Sequence, residues 1–168
     1  TAGKTVESTR KAEVMGISVE GVSIDMVKMQ SWKGSIVKKM TGGVRQLCKG
    51  NGCSLETGLA TFTSPTTARI EPVKGKPYEV TFRSAIIATG SVPIEIPGFE
   101  FDEKRILSST GALDLDEVPK AVVVVGGGYI GLELGQMLCK LGSTVTVVEM
   151  MDSVLPGFDT EIVGVVAR

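Results

Sequence analysis

Histidine is absent from the 168-residue chain. These residues therefore cannot supply an imidazole base or a histidine metal ligand. Cysteine is scarce: three thiols, one of which cannot pair within the chain, do not make a secreted disulfide scaffold. Long apolar runs are also missing. The longest, Ala121 to Val125, falls far short of the roughly 20 residues that cross a bilayer. No basic stretch leading into an apolar signal-peptide core is visible. Charge of one sign is lacking as well. Eighteen basic residues against 19 acidic ones leave a net −1, which argues against nucleic acid or an anionic membrane as partner. A reducing compartment is expected: the cytoplasm or, as the alternative, the mitochondrial matrix.

What is present is globular: 42% apolar residues, 22% charged residues and 21 glycines, enough for several tight turns or nucleotide loops. Residues 1 to 17 read as the end of a helix closed by Gly16. Ile24 to Leu47 reads as a long helix, because Met26, Met29, Trp32, Ile36, Met40, Val44 and Leu47 recur at spacings of three and four. Gly50-Asn51-Gly52 should end it. The pattern then shortens to strands at Ser54–Ala60, Thr67–Pro72 and Tyr78–Phe82, divided by Ser64-Pro65 and Lys74-Gly75-Lys76-Pro77. Together these predict a small antiparallel meander. Ala85–Ala88 reads as a buried strand entering Thr89-Gly90, and a proline-bearing connection follows.

The clearest segment is 121 to 149. An all-apolar strand, AVVVV, enters GGGYIG, a helix runs to about Lys140, Gly142 breaks it, and TVTVVE makes a second strand. This is the β-α-β order of a dinucleotide-binding unit. Gly126, Gly127, Gly128, Tyr129, Ile130 and Gly131 fit G-x-G-x-x-G. Gly126 permits the turn, Gly128 lets a pyrophosphate reach the backbone, and Gly131 lets the helix lie against the strand. Glu149 follows Gly131 by eighteen residues, where a carboxylate can accept from both adenosine ribose hydroxyls. Met150, Met151 and Asp152 offer no cation for a 2′-phosphate, so NAD is favoured over NADP. Leu132 and Glu133 open the helix beside the loop.

AIIATGSVPIEIPG, ILSSTGALDLDEVP and VVVVGGGYIGLELGQMLCKLGSTVTVVE, with KAEVMGI and IVKKMTGGVRQLCKGNG upstream, resemble the dihydrolipoamide dehydrogenases among the pyridine nucleotide-disulfide oxidoreductases. The likeness covers nearly all of the chain. It implies an α/β fold made of portions of two Rossmann-like dinucleotide-binding domains with the small β-meander. Residues 1–118 would belong to the FAD-binding domain and 119–168 would begin the NAD-binding domain. It further implies FAD and NAD as cofactors, with electrons passing from a dithiol through a cysteine pair and the flavin to NAD. Ala60, Thr89, Gly90 and Ser91 would lie along FAD. Residues 126 to 133 and Glu149 would hold NAD, and Glu133 would lie near the nicotinamide and flavin. The implied partners are a second copy in a homodimer and the lipoyl-bearing acyltransferase of 2-oxo acid dehydrogenase complexes.

Departures from that pattern matter equally. No G-x-G-x-x-G for FAD and no cysteine pair followed by I-P-S-K occur in these residues, so the sequence reads as an internal portion of an enzyme. No catalytic or metal-binding residue is assigned within it. The pair in CKGNGC, Cys48 and Cys53, has four residues between the thiols, as redox pairs of this family do. Yet Cys48 falls at a helix C-terminus, whose partial negative charge disfavours thiolate, so the pair is read as unrelated to the redox centre. Cys139 is read as a packing residue. Other readings are a mercuric reductase, an NADH peroxidase, or a non-catalytic NAD-binding module or remnant.

Overall fold

The computed structural model describes residues 1–167. Its contacts divide the chain into two units: Thr1–Lys33 together with the chain from Pro93 onward, and Gly34–Val92. The first contains α1 (Ala2–Arg10), a 3-10 turn at Lys11–Met15, and the start of α2 (Met26–Gly50). It resumes with α3 (Ser109–Leu113), β4 (Ala121–Val125), α4 (Tyr129–Leu141), β5 (Thr144–Val148) and α5 (Thr160–Val166). The second contains the rest of α2 and the strands β1 (Gly58–Ser64), β2 (Thr67–Pro72) and β3 (Tyr78–Thr81).

In the first unit β4 and β5 pair in parallel, Ala121 opposite Thr144 through Val125 opposite Val148. α4 crosses one face of this pair, and glycines on the helix allow the approach. A Cβ on Gly135 would lie 3.3 Å from Val145 Cγ1 and 3.4 Å from Val124 Cγ2. Leu138 and Leu141, on the same side of α4, are 3% and 4% exposed. Burying each stabilises the unit by roughly 1.5–3 kcal/mol. The opposite sheet face leaves Val123 and Val125 exposed. Ser143, buried, donates its hydroxyl to Pro119 O at 2.6 Å, and Thr144 N–H donates to Lys120 O at 2.9 Å. These two bonds tie the entrance of β5 to that of β4.

α1 lies against α4. A Cβ on Gly3 would sit 3.1 Å from Lys140 Cβ. Glu7 bridges Lys11 at 2.7 Å and Lys140 at 3.0 Å, and Arg10 donates to Lys140 O at 3.3 Å. The first turns of α2 are anchored in turn to the end of α3. Gln30 donates to Leu113 O and Leu115 O at 3.0 and 2.7 Å, and Lys33 pairs with Asp114 at 2.8 Å. α3 starts at Ser108, whose hydroxyl accepts from Gly111 N–H at 3.1 Å.

In the second unit β1, β2 and β3 form the expected antiparallel meander in that order. Ala60 pairs with Ile70, and Ala68 with Val80. Phe62 and Phe82 meet edge to face with ring centroids 5.8 Å apart. Ala68 is buried, whereas β1 is exposed throughout.

Several expectations are corrected. The first meander strand runs over Gly58–Ser64 rather than Ser54–Ala60, because pairing with β2 starts only at Gly58 opposite Pro72. Residues 85–88 form no strand, and Ile86 and Ile87 are 95% and 71% exposed. An extended apolar run becomes a strand only by pairing, and no described strand pairs with this one. The α2 stripe is helical as expected, but Ile36, Met40, Val44 and Leu47 stay exposed. Cys139 is exposed rather than packed, since the packed face of α4 at this level is carried by its neighbour Leu138.

Candidate dinucleotide-binding site

The site grows from the ends of β4 and β5. Gly126 N–H donates to Val148 O at 2.8 Å, so the strand pairing extends one step into the loop. Gly126 then turns the chain with φ +103°, a conformation that glycine adopts without a Cβ clash. Gly131 supplies the close approach: a Cβ there would fall 2.6 Å from Gly126 O and 2.9 Å from Val124 Cγ1. These are collisions with backbone and with a packed valine, so the third glycine of the motif is sterically required.

Gly128 is the N-cap of α4 in extended conformation, and no side chain caps the helix. The first-turn N–H groups of a helix lack intrahelical partners and carry its positive dipole end. Tyr129 and Ile130 are exposed, and nothing lies within 4 Å of a Cβ placed on Gly128. The loop therefore presents an open, backbone-lined, electropositive surface, suited to a pyrophosphate. Glu133, one turn on, is exposed.

Glu149 stands one residue beyond β5 rather than at its last position. One carboxylate oxygen accepts from Gly127 N–H at 2.6 Å and the other from Met151 N–H at 2.9 Å. The bond from Met151 first, then that from Gly127, hold its carboxyl below the ordinary carboxylate range, against an opposing desolvation cost. Glu149 is thus a fixed anion that also clamps the glycine loop. A carboxylate offers about four lone-pair sites, so acceptor capacity remains for ribose hydroxyls. The neighbouring Met150 and Met151 are exposed and carry no positive charge.

Sequence reasoning missed the turn after β5. Leu155 N–H donates to Gly127 O at 2.9 Å, and Val154 Cγ1 would meet a Cβ on Gly127 at 2.9 Å. Leu155 holds a positive φ of 52°, uncommon for a branched residue. The segment 149–155 thereby closes on the glycine loop from the β5 side. No periodic pattern marks it, and Pro156-Gly157 is its one local signal.

A family model described as pyridine nucleotide-disulphide oxidoreductase matches residues 3–168. The chain belongs to this family. Among its members, the dihydrolipoyl dehydrogenase of Geobacillus stearothermophilus is 47% identical over 169 residues, covering all of this chain and 35% of that protein. That of Bacillus subtilis is 44% identical over 167 residues, covering 99% and 35%. That of Haloferax volcanii is 44% identical over 170 residues, covering 100% and 36%. The chain thus spans about a third of the length of these curated relatives. The crystal structure of LpdA from Mycobacterium tuberculosis superposes with a TM-score of 0.83 at 24% identity, over 98% of this chain and 36% of that one. That likeness supports the α/β fold with its Rossmann-like domains.

The site residues expected from the sequence fall in two places. Gly126 to Glu133 and Glu149 converge in the first unit as described. Ala60 lies in β1 with its backbone opposite Ile70, while Thr89, Gly90 and Ser91 form exposed coil in the same second unit. Gly90 has φ +77°. No helix among the described residues is long and apolar enough to cross a membrane.

Proposed function

We propose that these residues belong to a dihydrolipoyl dehydrogenase-like flavoenzyme that oxidises protein-bound dihydrolipoyl groups, with its redox cysteine pair outside the 168 residues. Electrons would pass through a disulfide and FAD to NAD. The observation that carries the reading is the glycine loop clamped by Glu149 in a chain 47% identical to a dihydrolipoyl dehydrogenase. Residues 1–118 are assigned to the FAD-binding domain and 119–168 to the start of the NAD-binding domain.

In this reading Gly126 to Gly131 and the N-terminus of α4 hold the pyrophosphate of NAD. Glu149 accepts from the adenosine ribose, and its fixed charge disfavours a 2′-phosphate. Glu133 lies toward the nicotinamide. Ala60, Thr89, Gly90 and Ser91 line FAD. NAD supplies the hydride acceptor and FAD the relay between dithiol and nicotinamide. Partners are a second copy and the lipoyl-bearing acyltransferase of a 2-oxo acid dehydrogenase complex, in the cytoplasm.

The test is the NAD reduction assay with dihydrolipoamide, run on the parent enzyme purified with its flavin; the 168 residues alone should be inactive. Dihydrolipoamide-dependent turnover with NAD preferred over NADP is the expected result. Turnover with mercuric ion or peroxide in its place would redirect the assignment within the family. NAD binding without flavin or turnover would leave a binding module.

A further inference from the structure

Cys48 and Cys53 take no part in the nucleotide site. α2 ends in a closed set of backbone bonds: Asn51 N–H to Leu47 O at 3.1 Å, Gly52 N–H to Lys49 O at 3.1 Å, and Cys53 N–H to Cys48 O at 2.9 Å. Gly52 sits at φ +71°. This is a Schellman cap with Gly52 in the left-handed position, Cys48 in the last turn and Cys53 just past the glycine. The same pair of bonds closes the turn at Gly16, through Ile17 N–H to Ala12 O, and α4 at Gly142, through Ser143 N–H to Leu138 O.

The three caps differ in the side chains at the two positions that the motif brings into contact. They are Ala12 with Ile17, Leu138 with Ser143, and Cys48 with Cys53. Both of these cysteines are free thiols, Cys48 half-buried and Cys53 exposed. A direct backbone hydrogen bond between the two residues suits the roughly 4.4–6.8 Å Cα separation that a disulfide spans. The spacing in CKGNGC is thus the spacing of the cap.

We propose that Cys48 and Cys53 form a reversible disulfide across the C-terminal cap of α2, with a low-molecular-weight disulfide such as oxidised glutathione as the oxidant. Cys53, the exposed thiol, attacks one sulfur of the small disulfide as thiolate and releases one small thiol. Cys48 then attacks the Cys53 sulfur of the mixed disulfide and expels the second small thiol. Two protein thiols are oxidised to one S–S bond. The small disulfide is reduced to two thiols, which take up the two protons lost by the cysteines. Because the cap favours the bond, the bond favours the cap to the same extent.

The purified protein is equilibrated with mixtures of reduced and oxidised glutathione, quenched, alkylated and digested with trypsin. Cleavage after Arg45, Lys49 and Arg69 places Cys48 in 46–49 and Cys53 in 50–69, so the bond joins two peptides that reductant separates. The joined species should grow with the oxidised fraction and vanish on reduction. In Cys53→Ser, Cys48 should yield no joined species. Gly52→Ala should lower the equilibrium constant for the bond by roughly five- to thirtyfold. The added methyl meets nothing within 4 Å, so this variant strains only the left-handed backbone. Glutathione adducts alone, pairing with the 121–140 peptide that carries Cys139, or an unchanged constant in Gly52→Ala would each overturn the proposal.

Discussion

AIIATG at 85–90 and AVVVVG at 121–126 are the same kind of phrase: an apolar run delivered to a glycine with positive φ, +77° at Gly90 and +103° at Gly126. They differ in outcome. The second is a strand paired residue by residue with β5 and covered by α4 on one face. The first is unpaired coil with Ile86 almost fully exposed. Apolar β-branched content is thus only a disposition toward strand. A partner backbone at register and a helix to cover one face make it a strand, and these give the glycine loop its fixed place.

The largest test of this difference removes the cover. Leu138→Ala should destabilise the first unit by roughly 2–5 kcal/mol, read by chemical denaturation. Hydrogen exchange should then rise in β4 and β5 and stay unchanged at 85–90. Equal protection losses in both runs would mean that packing by α4 is not what separates them.

Next in size is Gly131→Ala, whose methyl would strike Gly126 O and Val124. An overpacking cost of about 1–3 kcal/mol is expected, with NADH affinity reduced at least about tenfold as the loop shifts (1.4 kcal/mol per decade). Glu149→Ala should weaken NADH by a comparable factor by leaving Gly127 N–H without its acceptor, each buried unmet donor costing roughly 1–3 kcal/mol. Fluorescence titration reads both variants. Gly90→Ala serves as the contrast: with open space around it, only the backbone conformation is penalised, by about 1–2 kcal/mol. NADH affinity should not change.

The smallest effect is electrostatic. Lys11 first, then Lys140, lower the Glu7 carboxyl from 4.5 to about 2. A depressed carboxyl contributes stability above its unfolded value and loses it as pH falls through the folded one. The α1–α4 contact should therefore weaken between about pH 4.5 and 2. Glu149 behaves with the same sign, from the ordinary carboxylate range downward. Glu7→Gln should flatten the Glu7 part of the acid slope. Because Glu7 and Lys140 are only half-buried and Lys11 is exposed, salt should flatten it too.

Read alone, the chain was most legible where its chemistry is local. Gly16, Gly52 and Gly142 close their helices because only a positive φ permits the cap. The α2 stripe at spacings of three and four is helical, and Thr67–Pro72 is a strand between turn residues. The glycine loop was legible because strand, turn and helix are adjacent in sequence. The clamp was only half legible. Glu149 could be placed by spacing, but its bonds to Gly127 and Met151 and the return of Leu155 onto the loop could not.

The sequence by itself determined the helix caps, the β-α-β order and the acid that follows it, since each depends on a few neighbouring residues and their backbone preferences. Tertiary structure decided which apolar runs became strands, which face of α4 was buried, and what Glu149 holds. Those outcomes depend on hydrogen-bond partners and packing surfaces brought from distant positions, and no local propensity specifies where such a partner will stand.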